Sequence, residues 1–312
     1  MPRNRRCWLI ALPLALLAAV LLSGGLRPEW HLQALLWLQQ QMAGATEHEA
    51  KIDGIRWSYL EAGSDGDKPP LVLVHGFTGS KDNWLPIVRV LASDRRVLIP
   101  DLPGWNDSER KAGADPGFAA QAENLLHFID TVVAGPVDLV GHSMGGGIVA
   151  VLAARHPQQV DQLVLMDAAG VRFKDNDFGL AVLAGENPFA VNDRASLKRY
   201  LATVFESPPF VPWPIDQALI DRRIADAGFE QRVLDAIARG DQAFLPGQLA
   251  PDIEAQTLLL WCRDDRVIDP SAATIWAAGL QHSRTVMLDG CNHMPMMEQP
   301  DATAASLREF LR

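Results

Sequence analysis

The sequence predicts an α/β protein: a mostly parallel central sheet with helices on both faces and an inserted helical cap. Three observations carry that expectation. Continuously apolar runs of strand length, Leu71 to Val74, Val97 to Ile99, Val137 to Val140, Leu163 to Met166, Thr257 to Trp261 and Thr285 to Leu288, alternate with helical patterns. Such runs suit parallel strands buried on both faces. The alternation lapses between Gly170 and Leu249, and a glycine-rich turn, Gly141-His142-Ser143-Met144-Gly145, joins an apolar run to the amphipathic stretch Ile148 to His156.

In chain order, Arg3, Arg5 and Arg6 precede an apolar run from Cys7 to Leu22, broken only by Pro13. This is either an uncleaved signal anchor, the preferred reading, or a cleaved signal peptide. Both keep the arginines cytoplasmic and export the remainder, as an anchored or a secreted domain. From Trp30 to Met42, leucines and tryptophans recur at near-helical spacing. That pattern fits an amphipathic helix at a membrane surface or one packed on the domain itself. Residues 1–46 are therefore set apart as an N-terminal segment.

The core is assigned to 47–170 and 250–312. Asp53-Gly54 signals a hairpin, and Ile55, Trp57 and Tyr59 alternate on the strand that follows. Residues 171–249 hold eight phenylalanine and tryptophan positions from Phe173 to Phe244, with helical patterns near Arg194 to Phe205 and Gln217 to Ala238. They read as a helical cap over the carboxyl edge of the sheet, with aromatic residues for a small core and an apolar pocket.

Composition narrows the function. A chain of 312 residues can bury a sizeable core, and a net charge of −10 offers no basic face to a nucleic acid. No Cys/His spacing suggests zinc, so neither a metal nor a cofactor is expected. Cys262 and Cys291 are read as unpaired thiols, with a disulfide as the alternative if the fold joins them in an oxidising compartment.

The chemistry centres on Ser143. A serine hydroxyl is a poor nucleophile at neutral pH, so it needs a base, an acid that orients the base, and donors for the oxyanion. A sharp strand-to-helix turn would expose Ser143, with Gly141 and Gly145 avoiding Cβ clashes. His293 follows the last strand in Gly290-Cys291-Asn292-His293, where an imidazole could reach over the serine. The loop Trp261-Cys262-Arg263-Asp264-Asp265-Arg266 offers two carboxylates. Asp265 is chosen over Asp264, and Asp167 at the end of the preceding strand is a third choice. Phe77, after Gly76, and Met144, after Ser143, would supply the oxyanion amides. His75 and His142 read as supports of their turns.

Together, His75-Gly76-Phe77, Asp101-Leu102-Pro103-Gly104, the Gly-His-Ser-Met-Gly-Gly turn, the Asp265 loop and Asn292-His293 occur in the order of the α/β-hydrolase superfamily. The chain resembles it from Glu47 to Arg312, the inserted stretch matching only as a cap. The apolar N-terminus, Lys81-Asp82-Asn83-Trp84, the Ser-Met-Gly-Gly turn and Asp167-Ala168-Ala169-Gly170 look most like membrane-associated monoacylglycerol lipases and similar bacterial lipases and esterases. The resemblance implies an α/β-hydrolase fold and a serine carboxylester hydrolase acting on fatty acyl esters, with monoacylglycerol favoured, through an acyl-enzyme. Its partners would be a lipid ester substrate and, through the N-terminus, a membrane surface. Two departures stand out: Trp105, where many relatives have His or Phe, and Cys262, where Gly is common.

Two other readings remain. Carbon–carbon bond hydrolases of ring-cleavage products share these motifs but usually carry a small residue where this chain has His142. A non-catalytic binding module of the same fold would usually lack one of the three reactive residues, and none is missing.

Overall fold

The computed structural model describes residues 23–311. The apolar run Cys7 to Leu22, read above as an anchor, lies outside them. Among the described residues no helix is long and apolar enough to cross a membrane.

The elements follow in the order α1 (Pro28–Ala43), β1 (Ala45–Ile52), β2 (Ile55–Ala62), β3 (Leu71–Val74), α2 (Leu85–Leu91), β4 (Val97–Pro100), α3 (Phe118–Val132), β5 (Val137–His142), α4 (Met144–Arg155) and β6 (Val160–Met166). Then come α5 (Asp177–Leu183), α6 (Arg194–Val204), α7 (Ile215–Leu234), α8 (Leu245–Gln248), β7 (Gln256–Cys262), α9 (Ser271–Gly279), β8 (Ser283–Leu288), α10 (Pro295–Glu298) and α11 (Pro300–Phe310). The eight strands form one sheet, ordered β1-β2-β4-β3-β5-β6-β7-β8. Only β1–β2 and β2–β4 pair antiparallel, so the architecture is the α/β-hydrolase fold expected.

Local chemistry explains the main features. Asp53 and Gly54 take φ of 51° and 79° and close the β1–β2 hairpin with Ile52 opposite Ile55, the paired left-handed geometry that matches strand twist. Every residue of β3, β4 and β5 is buried, as their apolar runs require, whereas β1 exposes Glu47 and Glu49 along the sheet edge. Charges on an exposed edge discourage pairing with another chain.

Helices α5 to α8 lie between β6 and β7. Asn176 caps α5, and Asp193 caps α6 in a reciprocal box with Ser196. Phe205 and Phe189 join the main core, and Val191, Leu197 and Ile220 form a small cluster of their own.

Helix α1 packs on α2 and α7. It buries Leu32 and Ala43 and leaves Trp30, Trp37, Leu38 and Met42 exposed. Its polar residues bridge distant parts of the chain: Glu29 pairs with Arg222 of α7, and Gln40 donates to Asp82 at 2.9 Å. Beneath it, wholly buried Lys81 contacts Asp101 at 2.7 Å, Asp107 at 2.6 Å and Glu47 at 3.2 Å. Burial opposes the lysine charge, but Asp101 and Asp107 outweigh it and hold Lys81 above its ordinary pKa.

One expectation is overturned: Cys262 and Cys291 form a disulfide rather than two free thiols. Parallel pairing of β7 with β8 sets Cys262 opposite Leu288, and the turn after β8 brings Cys291 to a Cα separation of 5.4 Å. That distance lies within the range a disulfide spans. Strand register, invisible in the spacing of two cysteines, decides the matter.

Candidate active site

The site is built at the carboxyl ends of β3, β5, β6, β7 and β8. Ser143, between β5 and α4, takes φ 54° and ψ −119°, a conformation L-residues rarely adopt. The turn is held by Ser143 N–H donating to Met166 O and by Ala169 N–H donating to Ser143 O, both at 2.9 Å. A Cβ on Gly145 would lie 2.4 Å from Val74 O, and one on Gly141 equally close to Gly145 O. Glycine is thus required for α4 to sit so tightly against β3 and β5.

The structure brings Ser143, His293 and Asp265 together. His293 Nε2 lies 3.0 Å from Ser143 Oγ, and His293 Nδ1 lies 2.8 Å from Asp265 Oδ2. Asp265 Oδ1 accepts from the Val267 and Ile268 amides at 2.8 and 3.0 Å. All three residues are buried, and burial holds the His293 imidazole below its ordinary pKa, which leaves it neutral and able to accept a proton. Asp264, the other carboxylate of that loop, is exposed.

The neighbouring histidines serve as supports. His142 Nε2 meets the His293 carbonyl at 2.7 Å. His75 Nδ1 donates to Gly76 O at 2.8 Å, while its Nε2 accepts from Leu102 N–H at 3.1 Å. This ties the Phe77 loop to the Asp101 turn. A Cβ on Gly76 would lie 2.9 Å from the Cβ of Ser143, so only glycine lets this loop pass beside the serine. Potential ligand atoms of His142, Asp167 and His293 lie within 4.8 Å of one another. Both His293 nitrogens and His142 Nε2 already meet protein atoms.

Ser143, Phe77 and Met144 close one end of a cavity of about 260 Å³. Its walls come largely from the inserted segment: Phe173, Phe178, Val182, Phe189, Leu234, Ile237 and Phe244. Exposed Arg172, Asp175 and Leu183 mark the mouth. Trp105 stands behind Phe77, edge-on at 5.4 Å, and packs on Phe229 at 5.0 Å. It therefore backs the cavity wall without lining it.

Sequence reasoning missed Asn292 and Glu298. Asn292 accepts from Arg266 N–H at 2.8 Å and donates to Thr203 O at 2.8 Å, joining the Asp265 loop, the His293 loop and α6. Glu298 accepts from the amides of Asn292, Glu206 and Ser207. The adjacency of Asn292 to His293 was the one available signal.

Comparison with known proteins sets the chain among hydrolases. The chain is 27% identical to the monoacylglycerol lipase ABHD6 of Mus musculus, over 97% of this chain and 92% of that protein. Among solved structures it is similar to a bacterial membrane phospholipase A described as a virulence factor, with TM-score 0.88 and 35% identity over 99% of this chain and 98% of that one. It is also similar to a putative lipase of Acinetobacter baumannii, with TM-score 0.83 and 29% identity over 90% and 95%. The Alpha/beta hydrolase family matches residues 71–306, a span holding every residue of the Ser143 site, and the chain is a hydrolase belonging to that family.

Proposed function

We propose that the protein is a serine carboxylester hydrolase that cleaves fatty acyl esters, with monoacylglycerol as the favoured substrate class. The observation that carries this reading is the continuous line from Asp265 Oδ2 through His293 to Ser143 Oγ, ending in an apolar cavity. Ser143 Oγ attacks the ester carbonyl as its proton passes to His293 Nε2, and the amides of Phe77 and Met144 hold the oxyanion. Collapse returns that proton to the departing alcohol and leaves an acyl-enzyme. Water, deprotonated by His293, then releases the fatty acid. Each oxyanion donor is worth roughly 2.7–4 kcal/mol in enzymes of this mechanism.

In this reading residues 47–170 and 250–312 form the catalytic core and 171–249 the cap whose aromatic walls accept the acyl chain. Residues 1–46 associate with a membrane: the exposed Trp30, Trp37, Leu38 and Met42 of α1 support that role. The Cys262–Cys291 disulfide supports a catalytic domain on the exported, oxidising side. Similarity to the monoacylglycerol lipase favours a monoacylglycerol head group. A second reading, acyl ester cleavage in a glycerophospholipid, is favoured by the 35% identity to the membrane phospholipase A.

The test is the purified full chain on p-nitrophenyl esters of graded length and on monoacyl-, diacyl- and triacylglycerols and phosphatidylcholine, beside Ser143→Ala. Release of fatty acid from monoacylglycerol, lost in the variant, is the expected result. Faster release from phosphatidylcholine selects the second reading, and full esterase activity in Ser143→Ala excludes both. Consumption of a ring-cleavage dienoate without ester hydrolysis would return the carbon–carbon reading.

A further inference from the structure

Asp167 is a buried carboxyl that the mechanism above leaves unused. It follows β6 with φ 44° and is fully shielded from solvent. Its Oδ1 accepts from Cys262 N–H at 2.9 Å, whereas its Oδ2, also buried, receives no donor among the described residues. The side chain neighbours the Asp265 carboxyl, and it offers a ligand atom within 4.8 Å of nitrogens of His142 and of His293, whose Nδ1 meets Asp265 Oδ2 at 2.8 Å.

Two carboxylates cannot meet this way unless one keeps its proton, because each anion would be desolvated beside a like charge. The donors decide which one. Asp265 receives Val267 N–H, Ile268 N–H and the His293 ring, all of which favour its anion. Asp167 has a single amide donor, and an anionic Oδ2 without any donor would bear the full cost of desolvation. As a neutral acid, the same oxygen becomes a donor with an acceptor in reach.

We propose that Asp167 is a positioning residue: as a neutral acid it donates a hydrogen bond to Asp265 and fixes the carboxylate that orients His293. Burial raises both carboxyls; at Asp167 the Asp265 charge adds to it, whereas at Asp265 the Val267 and Ile268 amides oppose it, which leaves the proton on Asp167. The groups that face the pair are His142 beside the Ser143 turn, His293 after β8, Asp269 before α9 and Glu298 on α10. The proposal rests on the reading of Asp265 as the acid of the triad.

The experiment is steady-state kinetics on a p-nitrophenyl ester with Asp167→Asn, Asp167→Ala and Asp265→Asn. Asparagine copies the neutral acid, offering an oxygen to Cys262 N–H and an N–H to Asp265. Asp167→Asn is therefore expected to keep kcat within about threefold of wild type, while Asp167→Ala loses about 10–100-fold in kcat with KM little changed, the effect of one lost buried hydrogen bond. Where the alanine chain does not fold, Asp167→Ser, too short to reach Asp265, takes its place with the same expectation. Equal losses in the asparagine and alanine or serine variants, or no loss in either, would overturn the proposal. Asp265→Asn tests the underlying reading separately: a fall of about 10³-fold or more keeps it, and wild-type kcat would remove it whatever Asp167 does.

Discussion

Cys262 and Cys291 are joined across the ends of β7 and β8, three residues before Asp265 and two before His293. The bridge staples the loop that carries Asp265 to the loop that carries His293. Asn292, bonded to both the Arg266 amide and Thr203 of α6, braces the same pair of loops from the α6 side.

Replacing both cysteines with serine should loosen these loops as well as the chain. For a sequence separation of 29 residues, the chain-entropy account gives a loss of roughly 3–4 kcal/mol. Urea unfolding monitored by tryptophan fluorescence measures it. The kcat of the folded variant should also fall, with little change in KM, since His293 loses its restraint rather than the substrate its pocket.

Lys81 is the second point of vulnerability. Its removal by Lys81→Met leaves buried Asp101 without its cation, which should destabilise the fold by about 3–5 kcal/mol. The destabilisation should be visible as a lower urea midpoint with little change in slope. An unchanged midpoint would mean that the Asn106 side-chain amide and the Asp107 backbone N–H, which both donate to Asp101 Oδ2, satisfy it without the lysine.

The pH dependence follows from the burial of His293. A base held below its ordinary value of 6.5 stays neutral down to lower pH. The acid limb of kcat/KM should therefore fall below pH 6.5, with a plateau through neutrality. The sign is fixed: activity is lost as pH decreases, because the protonated imidazole cannot accept the Ser143 proton. A limb centred above 6.5 would show that the Asp265 charge outweighs burial in the free enzyme.

The cap walls should set acyl-chain length. Ala238 is a half-buried wall residue of the cavity, and Ala238→Trp fills part of the space beyond the serine. The kcat/KM for long-chain p-nitrophenyl esters should drop about tenfold or more relative to the butyrate, the scale on which lost apolar contact discriminates substrates. Equal loss at every chain length would place the acyl chain elsewhere.

The strands were legible because runs such as Leu71 to Val74 and Thr257 to Trp261 are apolar on both faces, and the hairpin because Asp53-Gly54 suits only a tight turn. Ser143, His293 and Asp265 could be picked out because the fold brings strand ends together in a known order. What local pattern cannot reveal is pairing across the chain. The β7–β8 register that joins Cys262 to Cys291, the Lys81–Asp101 ion pair and the Glu29–Arg222 bridge, whose partners are 193 residues apart, all depend on tertiary position. Each cysteine, lysine or glutamate alone reads as an ordinary surface or core residue. Asp167 falls between these cases: its strand-end position marked it as a candidate, but its neutral state depends on which donors reach it.

The central claim is that Ser143 is the nucleophile that His293 activates. Fluorophosphonate labelling followed by peptide mass spectrometry tests it directly, in wild type, Ser143→Ala and His293→Ala. The account predicts one phosphonate adduct, on Ser143, absent from Ser143→Ala and formed at least about 10³-fold more slowly in His293→Ala. An adduct on another residue, or ester hydrolysis by folded protein that never labels Ser143, would contradict it.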